Sequence, residues 1–169
     1  LCIISTGNNW GYGCSLPVID RCILVDLSQM KKIIAFDPEA GILTIEPGVT
    51  QQMLYDYLLN HDLHYMVPTT GAGHNCSLIG NILERGFGLA PINDHGSSVI
   101  SIQGFLGDGT FYAGSFPDEC QNLESSYKHS IGGNISALFI QSNLCIVTSM
   151  SIQLVQKPQC LQLVTIQFQ

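Results

Sequence analysis

Two glycine-rich stretches are the part of this chain best suited to chemistry. The first, GNNWGYG, covers residues 7–13 directly after an apolar run, and the second covers residues 67–91. Glycine has no Cβ, so its backbone N–H groups can approach an anion closely and form a concave anion-binding nest. GNNWGYG alone is typical of a surface turn. Two such stretches in one chain indicate a site for a phosphate or a pyrophosphate.

The common phosphate-binding motifs are absent from the sequence. Without G-x-x-x-x-G-K-[ST], the chain lacks the lysine and the hydroxyl that nucleoside triphosphate hydrolysis requires. Residues 7–13 have the pattern G-x-x-x-G-x-G rather than G-x-G-x-x-G, and Ser15, Pro17 and Asp20 predict an irregular stretch after them instead of a helix. A dinucleotide at this site would therefore not be bound in the Rossmann manner.

Other polar side chains form weaker candidate sites. Asp94 and His95 resemble an acid–base couple, but neighbours on an extended chain point to opposite faces, and we interpret the pair as structural. His61 and His64 have the spacing of two metal ligands near a helix end. No third ligand accompanies them, so solvated side chains are the simpler interpretation and we predict no metal site.

The composition excludes several classes of protein. The 169 residues carry a formal net charge of −7 with six lysines and arginines, so the chain lacks the basic face that a nucleic-acid partner needs. No apolar run approaches the roughly 18 residues of a membrane-spanning helix, and we expect no membrane partner. Seven cysteines are dispersed without a C-x-x-C pair, which predicts reduced thiols, no zinc site and a cytoplasmic location.

Hydrophobic periodicity predicts the elements that would position the glycine-rich stretches. Thr50 is suited to cap a helix that ends before Asn60. The apolar stripe of this helix consists of Met53, Leu54, Tyr57 and Leu58. Strands are predicted at 22–27, in hairpins over 32–48 and 98–114, and at 145–155 and 160–168. With one short helix inside 67–91 and another at 135–141, the order of elements predicts an α+β fold.

Seven segments of the sequence resemble, in order, one family of domains. They are STGNNWGYGCSLP, LVDLSQMKKI, TIEPGVTQQMLYDYL, VPTTGAG, IGNILERGFGLAPINDH, LGDGTFYAG and SALFIQSNLCIVTSMSIQL. Together they are similar to the PCMH-type FAD-binding domain of flavoproteins related to vanillyl-alcohol oxidase and p-cresol methylhydroxylase. The resemblance implies a two-subdomain fold: a small α/β subdomain over 1–66 and a larger antiparallel-sheet subdomain with flanking helices over 67–169. It also implies that the family's N-terminal strands and cap domain are absent from this chain.

The resemblance implies a set of residues that bind FAD. The loop that wraps the FAD pyrophosphate corresponds to Gly7, Asn8, Asn9, Trp10, Gly11, Tyr12 and Gly13. The turn along the flavin and its ribityl chain corresponds to Thr69, Thr70, Gly71 and Gly73. The G-N-x-x-x-R-G segment around the dinucleotide corresponds to Gly80, Asn81, Glu84, Arg85, Gly86 and Gly88, and the strand behind the cofactor to Ile146 and Val147. From the residues alone, Glu84 and Arg85 are equally an exposed helical pair.

Three departures from the family pattern restrict the chemistry. Relatives that attach FAD through a histidine carry G-G-H where this chain has residues 7–9, and those that use a cysteine carry it at the position of Val67. The resemblance therefore implies FAD that is held non-covalently by this chain or tethered from an absent cap. Thr69 stands where the phenol oxidases have an aspartate beside the flavin, and a threonine cannot act as a base. Phenol oxidation by that route is not expected, and no catalytic residue is assigned.

Three functions remain open at this point. In the first, the chain is part of a flavin-dependent oxidoreductase that moves a hydride from an alcohol or similar donor to FAD and then to oxygen or another acceptor. The small-molecule substrate would then bind with the help of a cap domain outside this chain. In the second, the chain is an FAD-binding module without turnover of its own. A reductase of the UDP-N-acetylenolpyruvylglucosamine type ranks below both.

Overall fold

The computed structural model describes residues 1–10, 15–17, 19–88, 92–116, 118–129, 133–162 and 164–168. Its strands are β1 (Cys2–Ile4), β2 (Leu24–Asp26), β3 (Ile33–Asp37), β4 (Ile42–Ile45), β5 (Val99–Leu106), β6 (Phe111–Tyr112) and β7 (Cys145–Gln153). Its α-helices are α1 (Gln51–Asn60) and α2 (Leu78–Leu83). Short 3₁₀ helices cover His95–Ser98, Asp118–Leu123 and Ser136–Phe139.

The strands form two sheets. β1 and β2 pair in parallel, whereas β3-β4-β7-β5-β6 is an antiparallel sheet in that order. The mixture of helices with a mainly antiparallel sheet is the α+β class that the sequence predicts. β4 pairs directly with β7, so the larger sheet joins strands from both 1–66 and 67–169. The division of the chain into two subdomains at residue 66 stays a prediction.

Helix α1 begins and packs as its sequence predicts. The Thr50 hydroxyl accepts a hydrogen bond from the backbone N–H of Met53 at 3.2 Å and so satisfies one of the free donors of the first turn. Leu54 and Leu58 are buried, and Tyr57 packs half-buried beside them. The two predicted hairpins are also present, and the first turns between β3 and β4 at Gly41, which has a φ of 68°.

The hydrophobic core lies on one face of the five-stranded sheet. Leu43, Ile102 and Ile152 from three neighbouring strands are fully buried there. Helix α2 contributes Leu78, Ile79 and Ile82 to the same cluster. Burial of a leucine or isoleucine side chain contributes about 1.5–3 kcal/mol, so these contacts fix α2 on the sheet. The polar residues on the other side of α2 are positioned by this packing.

Two predicted elements differ from the structure. The helix expected at 135–141 is a single 3₁₀ turn at Ser136–Phe139, and Gln141 at its end adopts a left-handed φ of 53° that no α-helix continues through. Residues 160–162 and 164–168 are not a strand, although apolar and polar residues alternate there. No strand of the described chain pairs with them, and Phe168 is 88% exposed. In the described residues, no helix has the length and apolar character needed to cross a bilayer.

Candidate functional site

The first glycine-rich loop lies on the second glycine-rich stretch. The side-chain amide of Asn8 donates to the backbone carbonyl of Asn75 at 3.2 Å. The backbone N–H of Ser77 donates to the Thr6 hydroxyl at 3.2 Å. These bonds join residues that are 67 and 71 positions apart in the chain. The two stretches that the sequence singles out therefore form one surface.

Close packing reinforces this contact at two glycines. The ring of Trp10 lies so near Gly71 that a Cβ at residue 71 would overlap its Cζ2 atom. The Ser5 hydroxyl occupies the space that a Cβ at Gly80 would need. Side chains at these positions would push the first loop away from the second stretch. The lack of a side chain at Gly71 and Gly80 thus allows the two segments to approach each other closely.

Gln51, in the first turn of α1, holds the turn at residues 69–73. Its side-chain oxygen accepts from the backbone N–H of Thr70 at 3.1 Å, and its side-chain nitrogen donates to the carbonyl of Gly73 at 3.1 Å. The side chain is only 6% exposed. An open cavity of about 290 Å³ lies beside the turn. Its lining consists of Gln51, Gln52, Tyr55, Val67, Thr69, Thr70, Gly73 and His74.

Sequence reasoning missed Gln51. A usable signal is present, because a glutamine on the buried face of a helical first turn must find partners for both ends of its amide. The resemblance implies cofactor contacts at Thr70 and Gly73, and the side chain of Gln51 hydrogen-bonds the backbone of both. We therefore count Gln51 as a supporting residue of the candidate site.

The segment 86–88 runs antiparallel to 93–95 behind α2. The backbone N–H of Gly86 donates to the carbonyl of Asn81 at 2.7 Å, and that of Gly88 donates to the carbonyl of Asn93 at 2.9 Å. Asp94 caps the following 3₁₀ helix by accepting from the N–H of Gly96. His95 points elsewhere, to Asn81. Asp94 and His95 therefore bind different partners, as expected for neighbours that serve structure.

His95 gives the fold a pH dependence that can be measured. Burial lowers the pKa of His95 below its usual value near 6.5, while the charge of Asp94 partly opposes this shift. As the pH falls below about 6.5, the histidine becomes protonated in the unfolded chain before it does in the folded chain. Protonation therefore favours the unfolded state, and the free energy of unfolding should decrease. Urea unfolding of wild type and His95→Gln between pH 5 and 8 tests this. His64→Gln, at an exposed histidine, is the control, and an equal slope in wild type and His95→Gln would contradict the assignment.

Arg85 follows α2 in an unusual conformation. Its φ of 51° is left-handed, a region that glycine occupies easily and that costs other residues free energy. The side chain is exposed, and within the described part of the chain its guanidinium has neither a hydrogen bond nor an ion pair. Glu84 forms the C-cap of α2 and is also exposed. The two side chains do not form an ion pair with each other.

The remaining predicted site residues lie in different surroundings. Gly7 has a φ of 68° next to Ser15, and Asn9 is exposed. Gly11, Tyr12 and Gly13 lie outside the described residues. Val147 is only 3% exposed and lies within the core, where it pairs with Gly104 of β5. Ile146 is half-buried in the same strand, beside Gly104.

The cysteines beside the site act as small apolar side chains. Burial raises the pKa of the Cys76 thiol, and burial also raises the pKa of the Cys145 thiol. Both therefore stay protonated and unreactive, as the sequence predicts. The cysteines of the described chain are free thiols.

Comparisons with known proteins show the family to which the chain is similar. A family model described as an FAD binding domain matches residues 1–114. The chain is 36% identical over 159 residues to 1'-carboxy-chondrochloren decarboxylase from Chondromyces crocatus, with 92% of this chain and 29% of that protein covered. It is 34% identical over 158 residues to the 4-cresol dehydrogenase [hydroxylating] flavoprotein subunit from Pseudomonas putida, covering 92% and 30%. The crystal structure of p-cresol methylhydroxylase with substrate bound superposes with a TM-score of 0.84 at 32% identity, covering 94% and 31%.

The fold and the converging loops define an FAD-binding domain of PCMH type. The chain belongs to the FAD-binding domain family and is homologous to flavin-dependent oxidoreductases. The resemblance inferred from the sequence, the α+β fold and FAD as the cofactor are thereby confirmed. The chain spans about 30% of the length of the relatives it matches.

Proposed function

We propose that this chain holds FAD non-covalently where its two glycine-rich stretches meet, and that it is the cofactor-binding part of an oxidoreductase. The observation that carries the proposal is the contact of residues 5–10 with residues 71–80, which brings two glycine-rich segments to one surface. Exposed glycines on that surface leave backbone N–H groups open to an anion. The residues present therefore fit a dinucleotide with a pyrophosphate.

The residues that would hold FAD fall into four groups. Gly7 to Gly13 would donate backbone N–H groups to the pyrophosphate, with residues 11–13 assigned by sequence alone. Thr69, Thr70, Gly71 and Gly73 would face the flavin and its ribityl chain. Gly80, Asn81, Glu84, Arg85, Gly86 and Gly88 would surround the dinucleotide. Ile146 and Val147 would lie in the strand behind it.

The chain's own residues would bind and orient the cofactor and take no part in bond making. A bound flavin would accept the hydride from the donor and pass the electrons on. Thr69 is exposed beside the turn, and its neutral hydroxyl cannot remove a proton from a phenol. We therefore propose an alcohol or a similar carbon donor, with oxygen or another acceptor to reoxidise the flavin. The substrate would bind with the help of a cap domain.

A second function is supported by the coverage of the relatives. This chain matches about 30% of their length, and a family model of an FAD binding domain matches residues 1–114 of it. A binding module without turnover is therefore the alternative. Anaerobic bleaching of the bound flavin by a panel of alcohols separates the two, for this chain and for any longer natural form. Loss of flavin colour with a donor supports the enzyme, and retention of colour with every donor supports the module.

A cytoplasmic location stays a prediction from the reduced cysteines.

Addition of FAD should quench the fluorescence of Trp10 in a saturable manner. Trp10 is the single tryptophan of the chain, is 64% exposed and lies on Gly71. A flavin bound on this surface absorbs tryptophan emission, so the titration reports occupancy of the site. The protein should keep its yellow colour on gel filtration and release all flavin in acid.

Riboflavin is the matched ligand control. It lacks the phosphates, so it should bind at least about tenfold more weakly than FAD because charge-assisted phosphate contacts are lost. A colourless protein whose fluorescence ignores FAD would end the proposal. Colour that stays with the acid-precipitated protein would show a covalent link.

A further inference from the structure

His95 is a buried imidazole for which the proposed function has no role. It is 2% exposed, and its Nδ1 atom lies 2.5 Å from the side-chain oxygen of Asn81. An amide oxygen only accepts hydrogen bonds, so this contact assigns the ring proton to Nδ1. The other nitrogen, Nε2, is buried and has no hydrogen-bond partner among the described residues. The ring is therefore a neutral side chain anchored at one end only.

The unanchored end of the ring faces Gly88 at very short range. A Cβ at Gly88 would overlap both Nε2 of His95 and the backbone oxygen of Thr69. One residue pair earlier, a Cβ at Gly86 would overlap the side-chain amide of Asn81. The side chains of Asn81 and His95 thus pack directly against the backbone of residues 86–88. That backbone in turn lies against the turn at Thr69.

Backbone hydrogen bonds fix the same arrangement from the other side. Gly86 donates to the carbonyl of Asn81, the N–H of His95 donates to the carbonyl of Gly86, and Gly88 donates to the carbonyl of Asn93. Helix α2 contacts this imidazole through Asn81, and the segment 86–88 contacts it through Gly88, which also lies against the turn at 69. Each of these three segments contributes residues to the proposed FAD site. A change in this ring would move all three relative to one another.

A purely structural core would not favour histidine at this position. A buried acceptor without a partner costs free energy, and an apolar side chain of similar size would avoid that cost. The imidazole supplies what an apolar residue cannot: a directional bond to Asn81 at one end and a flat, narrow edge under Gly88 at the other. Buried polar groups that destabilise the fold but fix its geometry are typical of sites that must be held accurately.

We propose that His95 is a positioning residue of the FAD site, which acts through Asn81 and Gly88 and does not itself touch the cofactor. This inference rests on the proposed function. The neutral, Nδ1-protonated ring holds the segment 86–88 against the Thr69 turn. It thereby fixes how closely the two segments pack against each other. The expected consequence of its loss is a weaker and differently seated flavin in a protein that is still folded.

Two substitutions separate the two ends of the ring. In His95→Asn the side-chain nitrogen stays where it can donate to Asn81, but the atoms beneath Gly88 are removed. In His95→Gln the amide reaches toward Gly88, while the donor to Asn81 is lost. Ile45→Val, at a fully buried position of β4, is the control for loss of core packing. Thermal melts of the FAD-free proteins set a temperature at which all four are folded.

At that temperature, FAD affinity is measured by Trp10 quenching, and the visible absorption and circular dichroism of the bound flavin are recorded. Each His95 variant should raise the dissociation constant for FAD about tenfold and alter the flavin spectrum. Ile45→Val should change neither. Wild-type affinity and spectrum in both folded His95 variants would overturn the proposal, as would an equal loss of affinity in Ile45→Val. Failure of the wild type to bind FAD would instead overturn the proposed function.

Discussion

Replacement of Gly88 by alanine should strongly weaken FAD binding and also destabilise the fold. The added Cβ would overlap the backbone oxygen of Thr69 as well as His95, and a backbone atom cannot rotate away as a side chain can. Overpacking of this kind costs about 1–3 kcal/mol of stability. Separation of the two segments would also cost several cofactor contacts at about 1 kcal/mol each, so FAD affinity should fall about a hundredfold. Urea unfolding and FAD titration measure the two effects.

Gly107 provides the matched control for this substitution. It lies in the turn between β5 and β6, and a Cβ there would meet no atom within 4 Å. Gly107→Ala should therefore leave FAD affinity unchanged and stability unchanged or slightly raised, since alanine restricts the unfolded chain. If Gly88→Ala behaved like Gly107→Ala, the close packing of residues 88 and 69 would not be needed for binding.

Local signals were sufficient to predict most of the fold. Thr50 with its apolar stripe predicted α1, and the glycine turns predicted both hairpins, because capping and turn chemistry depend on residues close together in the chain. The segment 160–168 shows where local signals fail. Its alternation predicts a strand, but a strand exists only with a neighbour to accept its hydrogen bonds, and the described chain offers none.

The sequence predicts only part of the candidate site, because local patterns show its residues but not the contacts between them. Its glycines are visible in the sequence, and the family resemblance gave them an order along the cofactor. The contacts that make them one surface are long-range: Trp10 on Gly71, Asn8 on Asn75, and the two bonds of Gln51. No local pattern encodes such contacts. The sequence interpretation of His95 as structural rests on its position next to Asp94 along the chain, whereas its contacts with Asn81 and Gly88 form only on folding.

The two glycine-rich stretches contain a single cationic side chain, that of Arg85. The chain carries a net charge of −7, yet the proposed cofactor contains two phosphates. Backbone amides can provide much of the required positive potential without a net charge. Among residues 5–13 and 67–91, Arg85 is the only lysine or arginine. It is also the residue after α2 that adopts the left-handed conformation.

Replacement of Arg85 by glycine should raise stability and lower FAD affinity at once. The left-handed φ of 51° costs a non-glycine residue about 1–2 kcal/mol, and glycine loses about 0.5–1 kcal/mol of this gain through its freer unfolded chain. The net gain in the free energy of unfolding should be about 0.5–1 kcal/mol. Loss of a charge-assisted bond to a phosphate, worth about 1.5–3 kcal/mol, should weaken FAD binding about ten- to a hundredfold.

Asp62 is the matched control for this result, because it follows α1 as Arg85 follows α2. It has a φ of 53°, and its N–H donates to Leu59 just as that of Arg85 donates to Ile82. Asp62→Gly should therefore give the same gain in stability with no change in FAD affinity, while Arg85→Lys should keep most of the affinity without the gain. If Arg85→Gly bound FAD as tightly as Asp62→Gly does, Arg85 would have no role in FAD binding. It would then be only an exposed residue at the end of a helix.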